Sequence, residues 1–557
     1  MNELTEQDSR TQSTAQLFHE KRVLLVDDQR SFQVMMKAML QNLGFNRIVV
    51  LNNAEEARRR CSKELFDIYL IDYNLGSGEN GRQLLEFLRE QHRLPADAVV
   101  FIISGDNSRA MVLSAIESEP DGYMMKPFSQ EQLRLRLQRA LQRKQELKPI
   151  FEALDKQDYA NVIKACEPLL KQHSRYATFC RCLMAEMYIH LQDLGSARAI
   201  LRNGLAEGES SWIRLGLGKI CYLLGQHEDA IAHLNTALRL RPLMVEAYRW
   251  LSLAQLANGA PQEAIDTLTR ATEISPHSSM LHRQLAEVAL AQGDYLKARD
   301  SLSAMLDLHR YDHGRNAQLL GSYVHSLILY ALSTGDPYHL GNLQKQVNNA
   351  IYRCRESLAD NEFDLDVFEQ ICRARIQVVR GDVVRGKKLL YKAIQPYQGN
   401  PASMSSALIS NLVLGFTQLG EYEYAEQLQQ QLDQQGAMDT LLHSCIRTIR
   451  DDKGQQEKLQ KYSELNEQGI AAYTAGRYEE AVTYFRDALR RAPANTNAAL
   501  NKAQALLQLF KQKGYNKSNS DLLDECKLTL ALLDGVMLNS AQAERQVKLQ
   551  DELQTLH

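Results

Sequence analysis

Five short apolar runs alternate with helical patterns in the first 145 residues of the chain. Between the runs, apolar residues recur with the spacing of a helix face, and Asn53 and Ser129 stand where helix caps are expected. Strands that alternate with helices predict a parallel sheet covered by helices on both faces. The predicted strands are 23–26, 48–51, 68–71, 99–103 and 122–125, and the predicted helices are 31–43, 54–64, 82–91, 109–117 and 131–144.

The pattern changes after residue 150, where nearly all of the chain has helical periodicity. Gly225, Gly259 and Gly293 recur every 34 residues, and an alanine follows each of them at a constant distance. Small residues at fixed positions let two helices pack closely, and a regular period indicates a repeat array. These residues resemble the tetratricopeptide repeat family. The segment GIAAYTAGRYEEAVTYFRDALRRAP, which begins at Gly469, has the same pattern.

Polar side chains follow four of the five predicted strands. Asp27 and Asp28 end the first strand, Asp72 the third, Ser104 the fourth and Lys126 the fifth. Because the carboxyl ends of parallel strands lie at one edge of a sheet, we expect these groups to converge there. Clustered carboxylates repel one another unless a cation is present, and hard oxygen ligands suit Mg²⁺. The sequence therefore predicts a magnesium site at this edge.

The same residues, with Gly105 and the run GYMMKPF at 122–128, resemble the receiver domain of two-component response regulators. The resemblance covers residues 21–142. It implies an α/β flavodoxin-like fold with a five-stranded parallel sheet. It also implies a cis peptide bond before Pro127, a residue type that permits one.

The resemblance further implies a role for each residue at the predicted site. Asp72 is expected to accept a phosphoryl group from a sensor histidine kinase or a phosphotransfer protein. Asp28, Asp72 and the main-chain carbonyl of Asn74 are expected to bind Mg²⁺ directly, and Asp27 through water. Lys126, together with the metal, is expected to neutralise charge on the transferring group.

Two further residues are expected to report the state of the acceptor. The Ser104 hydroxyl would donate to the phosphoryl group after a loop movement, and Tyr123 would then turn inward as the switch aromatic. Asn74 and Asp106 are expected to flank the acyl phosphate and orient an attacking water. The loop 76–79 lacks the proline common in the family, and serine replaces the commoner threonine at position 104.

These patterns predict seven segments along the chain. The repeat resemblance implies about nine helix pairs in a right-handed superhelix whose groove binds proteins or peptides. The segments are a polar tail at 1–20, the receiver domain at 21–142, a linker helix at 143–155, tetratricopeptide repeats at 156–310, degenerate helical repeats at 311–460, a further tetratricopeptide repeat at 461–510 and a helical C-terminal cap at 511–557.

Composition narrows the functional class. The net charge of -3 gives no general attraction for nucleic acids or acidic membranes. There is no apolar run long enough for a membrane helix, and nine scattered cysteines are typical of a reducing compartment, so we expect a cytoplasmic location. No Walker A loop, H-E-x-x-H motif, nucleophile elbow or helix-turn-helix pattern is present, so we expect no enzyme with an external substrate.

The favoured interpretation is a response regulator that is phosphorylated on Asp72 and signals when its repeat array binds an unidentified protein partner. Two alternatives remain open at the level of sequence. One is a transcription or RNA regulator with a nucleic-acid surface hidden in the repeats, and the other is a phosphate sink or phosphatase in a phosphorelay. Homodimerisation through the last receiver helix or the array is also left open.

Overall fold

The structure, a computed structural model, is described in two units, Met1–Leu285 and Ala286–His557. The predicted tail at 1–20 and the predicted helix at 109–117 lie largely or wholly outside the described residues. Those residues are 18–76, 78–106, 120–172, 174–309, 316–355, 358, 363–397, 403–436, 441, 445–447, 453–514, 520–534, 536 and 538–556.

A five-stranded parallel sheet forms the centre of the N-terminal domain. The strands are β1 (Arg22–Val26), β2 (Arg47–Leu51), β3 (Ile68–Asp72), β4 (Val99–Ser104) and β5 (Gly122–Met125). Their order across the sheet is β2-β1-β3-β4-β5, and every pairing is parallel. This order reverses direction once, between β1 and β3, as in a doubly wound flavodoxin-like sheet. The predicted fold of this domain is therefore confirmed.

Helices cover both faces of the sheet. Asn53 and Ser129 cap helices as predicted, because each side chain accepts a hydrogen bond from a main-chain N–H in the first turn. Buried apolar residues from alternate strand positions form one core on each side. The described helices of this domain are α1 (Arg30–Asn42), α2 (Ala54–Cys61), α3 (Gly81–Glu90) and α4 (Gln130–Glu146).

The predicted linker consists of the end of α4 and a separate short helix, α5 (Lys148–Asp155). The helical conformation is interrupted at the buried residue Leu147. Pro149 lies in the first turn of α5, where its missing N–H costs no helical hydrogen bond. Leu147 packs in one core with α5 and the helices that follow. The receiver-like domain is thus joined to the array by packed helices.

The remaining helices of the first unit form antiparallel pairs with the predicted period. Ala230 and Ala264 are fully buried, and Gly225 and Gly259 adopt φ values of 74° and 77° in the turns between helices. The helices are α6 (Tyr159–Lys171), α7 (Ala177–His190), α8 (Leu194–Glu207), α9 (Ser211–Leu223), α10 (His227–Leu240), α11 (Val245–Ala257), α12 (Pro261–Ile274) and the first half of α13 (Ser279–Gln292).

The regular elements described in the second unit are also all helices. Gly386 stands where the repeats elsewhere have alanine, and an added Cβ would overlap with Val378 on the preceding helix. The helices after α13 are α14 (Tyr295–Leu308), α15 (Asn316–Thr334), α16 (Pro337–Cys354), α17 (Leu365–Val379), α18 (Val383–Ile394), α19 (Ser406–Leu419), α20 (Tyr422–Gln434), α21 (Lys453–Thr474), α22 (Tyr478–Arg491), α23 (Thr496–Lys513), α24 (Ser520–Ala531) and α25 (Ser540–Thr555).

Two sequence-level expectations can be compared directly with this structure. Within the described part of the chain, no helix has both the length and the apolar character that a membrane span requires. All nine cysteines carry free thiols, and only Cys182 is partly exposed.

Candidate functional site

The carboxyl ends of four strands bring the predicted site residues to one edge of the sheet. Asp72 is the last residue of β3, Ser104 is the last residue of β4, and Asp27 directly follows β1. Lys126 follows β5, and its N–H donates to the Ser104 carbonyl at 2.8 Å. Because β1, β3, β4 and β5 are neighbours in the sheet, their ends form a single cluster.

Lys126 links the two buried carboxylates of this cluster. Its Nζ lies 2.7 Å from Asp27 Oδ2 and 2.8 Å from Asp72 Oδ2. Asp27 and Asp72 are 0% and 4% exposed, so this ammonium is their main protein source of positive charge. The peptide bond between Lys126 and Pro127 is cis, as predicted.

The acidic residues of the cluster also fit the predicted cation. Carboxylate oxygens of Asp27, Asp28 and Asp72 lie within 4.8 Å of one another. Asp28 is exposed, and a Cβ added to Gly76, which has a φ of +80°, would contact Asp28 Oδ2 at 3.3 Å. Three carboxylates face one ammonium, and their hard oxygen atoms are the ligands that Mg²⁺ prefers. The geometry therefore fits a divalent cation at this position.

Burial makes Asp72 unusually basic for an aspartate. It raises the pKa of Asp72 from 3.8 to about 6. Lys126 lowers this pKa, while the negative charges of Asp27 and Asp28 raise it further. Asp72 is thus substantially protonated at slightly acidic pH when only Lys126 offsets the negative charge of the cluster.

Stability should consequently depend on both pH and Mg²⁺. Because the pKa of Asp72 is higher in the folded protein, protonation of this carboxyl stabilises the folded state. Its contribution to the free energy of unfolding is complete below pH 3.8 and is lost as the pH rises through about 6. Because Mg²⁺ requires the ionised carboxylate, the increase in Tm that it causes should be larger at pH 7 than at pH 5. Thermal unfolding at both pH values tests this. An equal Mg²⁺ effect in the wild type and Asp72→Asn would contradict it.

Asn74 and Asp106, the predicted flanking residues, lie two positions beyond Asp72 and Ser104. Asn74 is exposed. The Asp106 N–H donates to Ser104 Oγ at 3.0 Å, which holds the hydroxyl within its own loop. The loop movement that would bring Ser104 to a phosphoryl group stays a prediction. The predicted role of Asn74 as a metal ligand stays a prediction.

Tyr123 lies half-buried in the middle of the short strand β5. Its hydroxyl donates to the Asp106 carbonyl at 2.6 Å, so it contacts the same loop that holds Ser104. Burial raises the pKa of Tyr123, and the nearby Ser104 hydroxyl acts in the opposite direction. Hydrogen bonds to Asp106 therefore link Ser104 with Tyr123. The switching role of Tyr123 stays a prediction.

The structure adds three residues that the sequence interpretation did not identify, and two of them, Phe32 and Gln33, lie on α1. The Phe32 ring lies under Lys126, with Nζ 3.8 Å from the ring centroid, and this contact steadies the ammonium. Gln33 donates from Nε2 to the Asp27 carbonyl at 2.5 Å and to Asn52 Oδ1 at 3.0 Å. Both are buried on α1, one turn after the acidic pair. Their position one helical turn after Asp27 and Asp28 was the feature of the sequence that could have indicated their place at the site.

Gly81 at the start of α3 is the third such residue. A Cβ added there would overlap with the main-chain carbonyl of Asp72 and lie 2.9 Å from Ile71 Cγ2. The Gly81 N–H also donates to the Tyr73 carbonyl at 2.8 Å. The missing side chain therefore allows α3 to pack directly against the end of β3.

Gly81→Ala should displace Asp72 and destabilise the first unit by about 1–3 kcal/mol, the usual cost of overpacking. Chemical denaturation measures the loss of stability, and labelling by a small phosphoryl donor measures the effect on Asp72. Gly195→Ala is the matched control, because its added Cβ would meet only Asp193 Oδ1, at 3.5 Å. Equal stability of the two variants would contradict the proposed close packing.

Comparisons with known proteins agree with this geometry. Residues 23–138 match the response regulator receiver domain family. Residues 215–279, 466–509 and 255–319 match tetratricopeptide repeat families. The chemotaxis protein CheY-3 of Vibrio cholerae serotype O1 is 28% identical over 122 residues, which are 22% of this chain and 92% of that protein.

Other similar proteins match over the same part of the chain. The transcriptional regulatory protein CpxR of Escherichia coli (strain K12) is 30% identical over 122 residues, 22% of this chain and 50% of CpxR. Among solved structures, a CheY-like receiver domain protein from Methanospirillum hungatei JF-1 is 23% identical, with a TM-score of 0.21, over 23% of this chain and 97% of that one. The Francisella response regulator 1452 receiver domain is 26% identical, with a TM-score of 0.21, and the match covers 22% of this chain and 98% of that one.

The N-terminal domain is thus a receiver domain, with the acidic cluster and the lysine of its site at the carboxyl edge of the sheet. The chain carries the receiver domain of a two-component response regulator followed by tetratricopeptide repeats. A receiver domain implies a histidine kinase or a phosphotransfer protein as a partner, and the repeats imply protein partners.

Proposed function

We propose that the protein accepts a phosphoryl group on Asp72 and signals through protein binding by its repeat array. The observation that best supports this is the ammonium of Lys126, held 2.7 Å from Asp27 and 2.8 Å from Asp72 beside the exposed carboxylate of Asp28. This arrangement combines a nucleophile, a fixed cation and a set of metal ligands. The donor would be a phosphohistidine on a partner kinase or phosphotransfer protein.

In the proposed reaction, a carboxylate oxygen of Asp72 attacks the phosphorus atom of the phosphohistidine. The new O–P bond gives an acyl phosphate, the N–P bond breaks, and the imidazole nitrogen keeps the electron pair and is then protonated. Lys126 stabilises negative charge on the transferring group. Asp27, Asp28 and Asp72 would hold Mg²⁺, which supplies further positive charge when bound. We propose no turnover of an external substrate.

The contacts between α4 and α5 provide a route from the receiver to the repeats. Lys144 on α4 donates to the Ala96 carbonyl at 2.8 Å and lies 3.4 Å from Asp121, which directly precedes β5. Its Nζ also lies 4.4 Å from the centroid of the Phe151 ring on α5. Asp155 on α5 accepts from the Ala96 N–H at 3.1 Å. One side chain therefore contacts the residue before β5, the turn before β4 and the linker helix α5.

Lys144→Met should weaken this route while leaving phosphorylation intact. Hydrogen exchange of α5 in the wild type should change when Asp72 is phosphorylated, and in Lys144→Met we expect less than about half of that change, because local openings depend on such contacts. Lys148→Met is the control, since the only ion pair of Lys148 among described residues is with Glu152 on the same helix. The same response in all three proteins would contradict this route.

The proposed function is tested with the full-length protein. Truncation at residue 150 would remove Leu147, a buried residue of the core around α5, so an isolated array is a poor probe. Purified partner candidates would be titrated against wild-type protein with and without a phosphoryl donor, and against Asp72→Asn. Phosphorylation should change the affinity of the wild type only. Equal affinity in all cases would overturn phosphorylation control.

A further inference from the structure

Four helices of the second unit line a cavity of about 480 Å³ that is open to solvent. The helix α25 packs on α23 through the buried residues Leu549 and Leu553 and forms one wall. The volume is typical of a ligand site. The lining residues are Tyr391, Glu421, Glu423, Tyr424, Gln427, Thr496, Asn497, Leu538, Asn539, Ala541, Gln542 and Arg545.

Arg545 supplies a positive charge to this cavity without a negative partner in the described chain. Its Nε donates to Gln504 Oε1 at 3.0 Å and its Nη2 to Asn501 Oδ1 at 2.7 Å, so neutral amides hold the guanidinium in place. Burial lowers the pKa of Arg545. A partly desolvated cation that lacks a counter-charge costs free energy, which a bound carboxylate would recover.

Glu423 supplies a negative charge to the same cavity. Its two oxygens accept from the Tyr462 hydroxyl at 3.2 Å and from Asn495 Nδ2 at 3.0 Å. No cationic side chain pairs with it among the residues that the structure describes. Its neighbour Glu421 differs, because Lys387 lies 2.6 Å away and neutralises it. Glu423 is therefore oriented by neutral donors and available to a cation from outside.

The remaining walls suit a peptide. Tyr391 and Tyr424 offer aromatic rings, and Gln427 offers an amide group of the kind that pairs with main-chain N–H and C=O groups. The Gln542 amide donates to Asn497 Oδ1 at 2.9 Å and so shapes the wall between them. A ligand that fits must carry one positive and one negative group, since the cavity presents one unpaired charge of each sign.

We propose that this cavity binds a short peptide segment of a partner protein, with a carboxylate against Arg545 and a basic side chain against Glu423. The inference rests on the proposed protein-binding function of the repeats and specifies the chemistry of the partner. The positive and negative groups of the peptide fix its direction in the cavity, because reversing it would place like charges together.

The test uses full-length protein and terminally blocked, fluorescein-labelled peptides. Each peptide has one arginine and one glutamate separated by one, two or three alanines, and matched peptides have glutamine at either charged position. At least one peptide with both charges should bind. Glu423→Gln and Arg545→Gln should each weaken it about tenfold. Glu423→Gln should not weaken the peptide that lacks arginine, and Arg545→Gln should not weaken the peptide that lacks glutamate.

Controls separate a direct contact from damage to the fold. Glu426→Gln and Lys548→Gln remove charges on the same two helices outside the cavity and should leave affinity unchanged. Glu423→Lys should restore binding to a peptide in which the arginine is replaced by glutamate. The proposal is overturned if no peptide saturates the protein below about 1 mM, or if both cavity variants bind like the wild type.

The peptide measurements are repeated on Asp72→Asn, so that the cavity and phosphorylation control are tested separately. Peptide binding that persists in Asp72→Asn supports the cavity as a peptide-binding site, even if Asp72 proves not to control partner binding. If no peptide binds while a purified partner binds in a phosphorylation-dependent way, only the proposal that the cavity binds a peptide is overturned.

Discussion

Asp72→Asn is expected to reduce labelling of the protein by acetyl phosphate or phosphoramidate by more than about 100-fold, because it removes the attacking carboxylate. The substitution keeps the size of the side chain. It also removes one of three clustered negative charges, so the unlabelled variant should be at least as stable as the wild type without Mg²⁺. Labelling is measured by intact-protein mass spectrometry or by retention of radiolabelled phosphate.

Asp97→Asn is the matched control for this experiment. Asp97 is an exposed aspartate of the same domain that lies just before β4, at the opposite edge of the sheet from Asp72. It should be labelled at the wild-type rate. If Asp72→Asn is labelled as strongly as Asp97→Asn, another residue is the acceptor, and Asp28 becomes the first candidate because its carboxylate is exposed beside the pocket.

Lys387→Met is expected to cost about 3–5 kcal/mol of stability in the second unit, the usual effect of removing one partner from a buried ion pair. Lys387 is 1% exposed and Glu421 is 3% exposed. The ammonium lies 2.6 Å from Glu421, 2.5 Å from the Ala494 carbonyl and 2.9 Å from Thr496 Oγ1. Methionine would fill the space but leave the Glu421 carboxylate buried without a cation. Urea unfolding followed by circular dichroism measures the loss.

Two further variants distinguish the ion pair from a simple change in size. Lys388→Met alters the adjacent, exposed lysine on α18 and should change stability by less than about 0.5 kcal/mol. The double variant Lys387→Met with Glu421→Met should recover most of the loss, since no isolated charge remains. Equal stability of Lys387→Met and Lys388→Met would show that the buried pair does not stabilise the unit.

The strand ends show how much of the candidate site the sequence could predict. Each apolar run ends close to where β1, β3, β4 and β5 end in the structure, and a polar residue follows each of them. That signal is local, because burial of a parallel strand requires continuous apolar residues up to the point where the chain leaves the sheet. The repeat pairs were predictable for a related reason, since Gly225 and Gly259 mark a period that each helix pair satisfies by itself.

Other features depended on which distant segments meet. Nothing in the sequence shows that the ring of Phe32 supports Lys126, or that the missing side chain of Gly81 makes room for the end of β3. The contacts of Lys144 with Ala96, Asp121 and Phe151 were not predictable from the sequence either. Each of these contacts joins residues from elements whose relative position local propensity does not define.

By itself, therefore, the sequence determined the receiver fold, the acidic cluster with its lysine and the repeat period. All three follow from patterns that are complete within one element or one repeat. Only the tertiary structure decided which charged side chains pair and which do not. Lys387 finds Glu421 and is neutralised, whereas Glu423 and Arg545 reach one cavity with only neutral partners in the described chain. The physical reason is that the free energy of a buried charge depends on its three-dimensional neighbours, which packing brings together from distant parts of the chain.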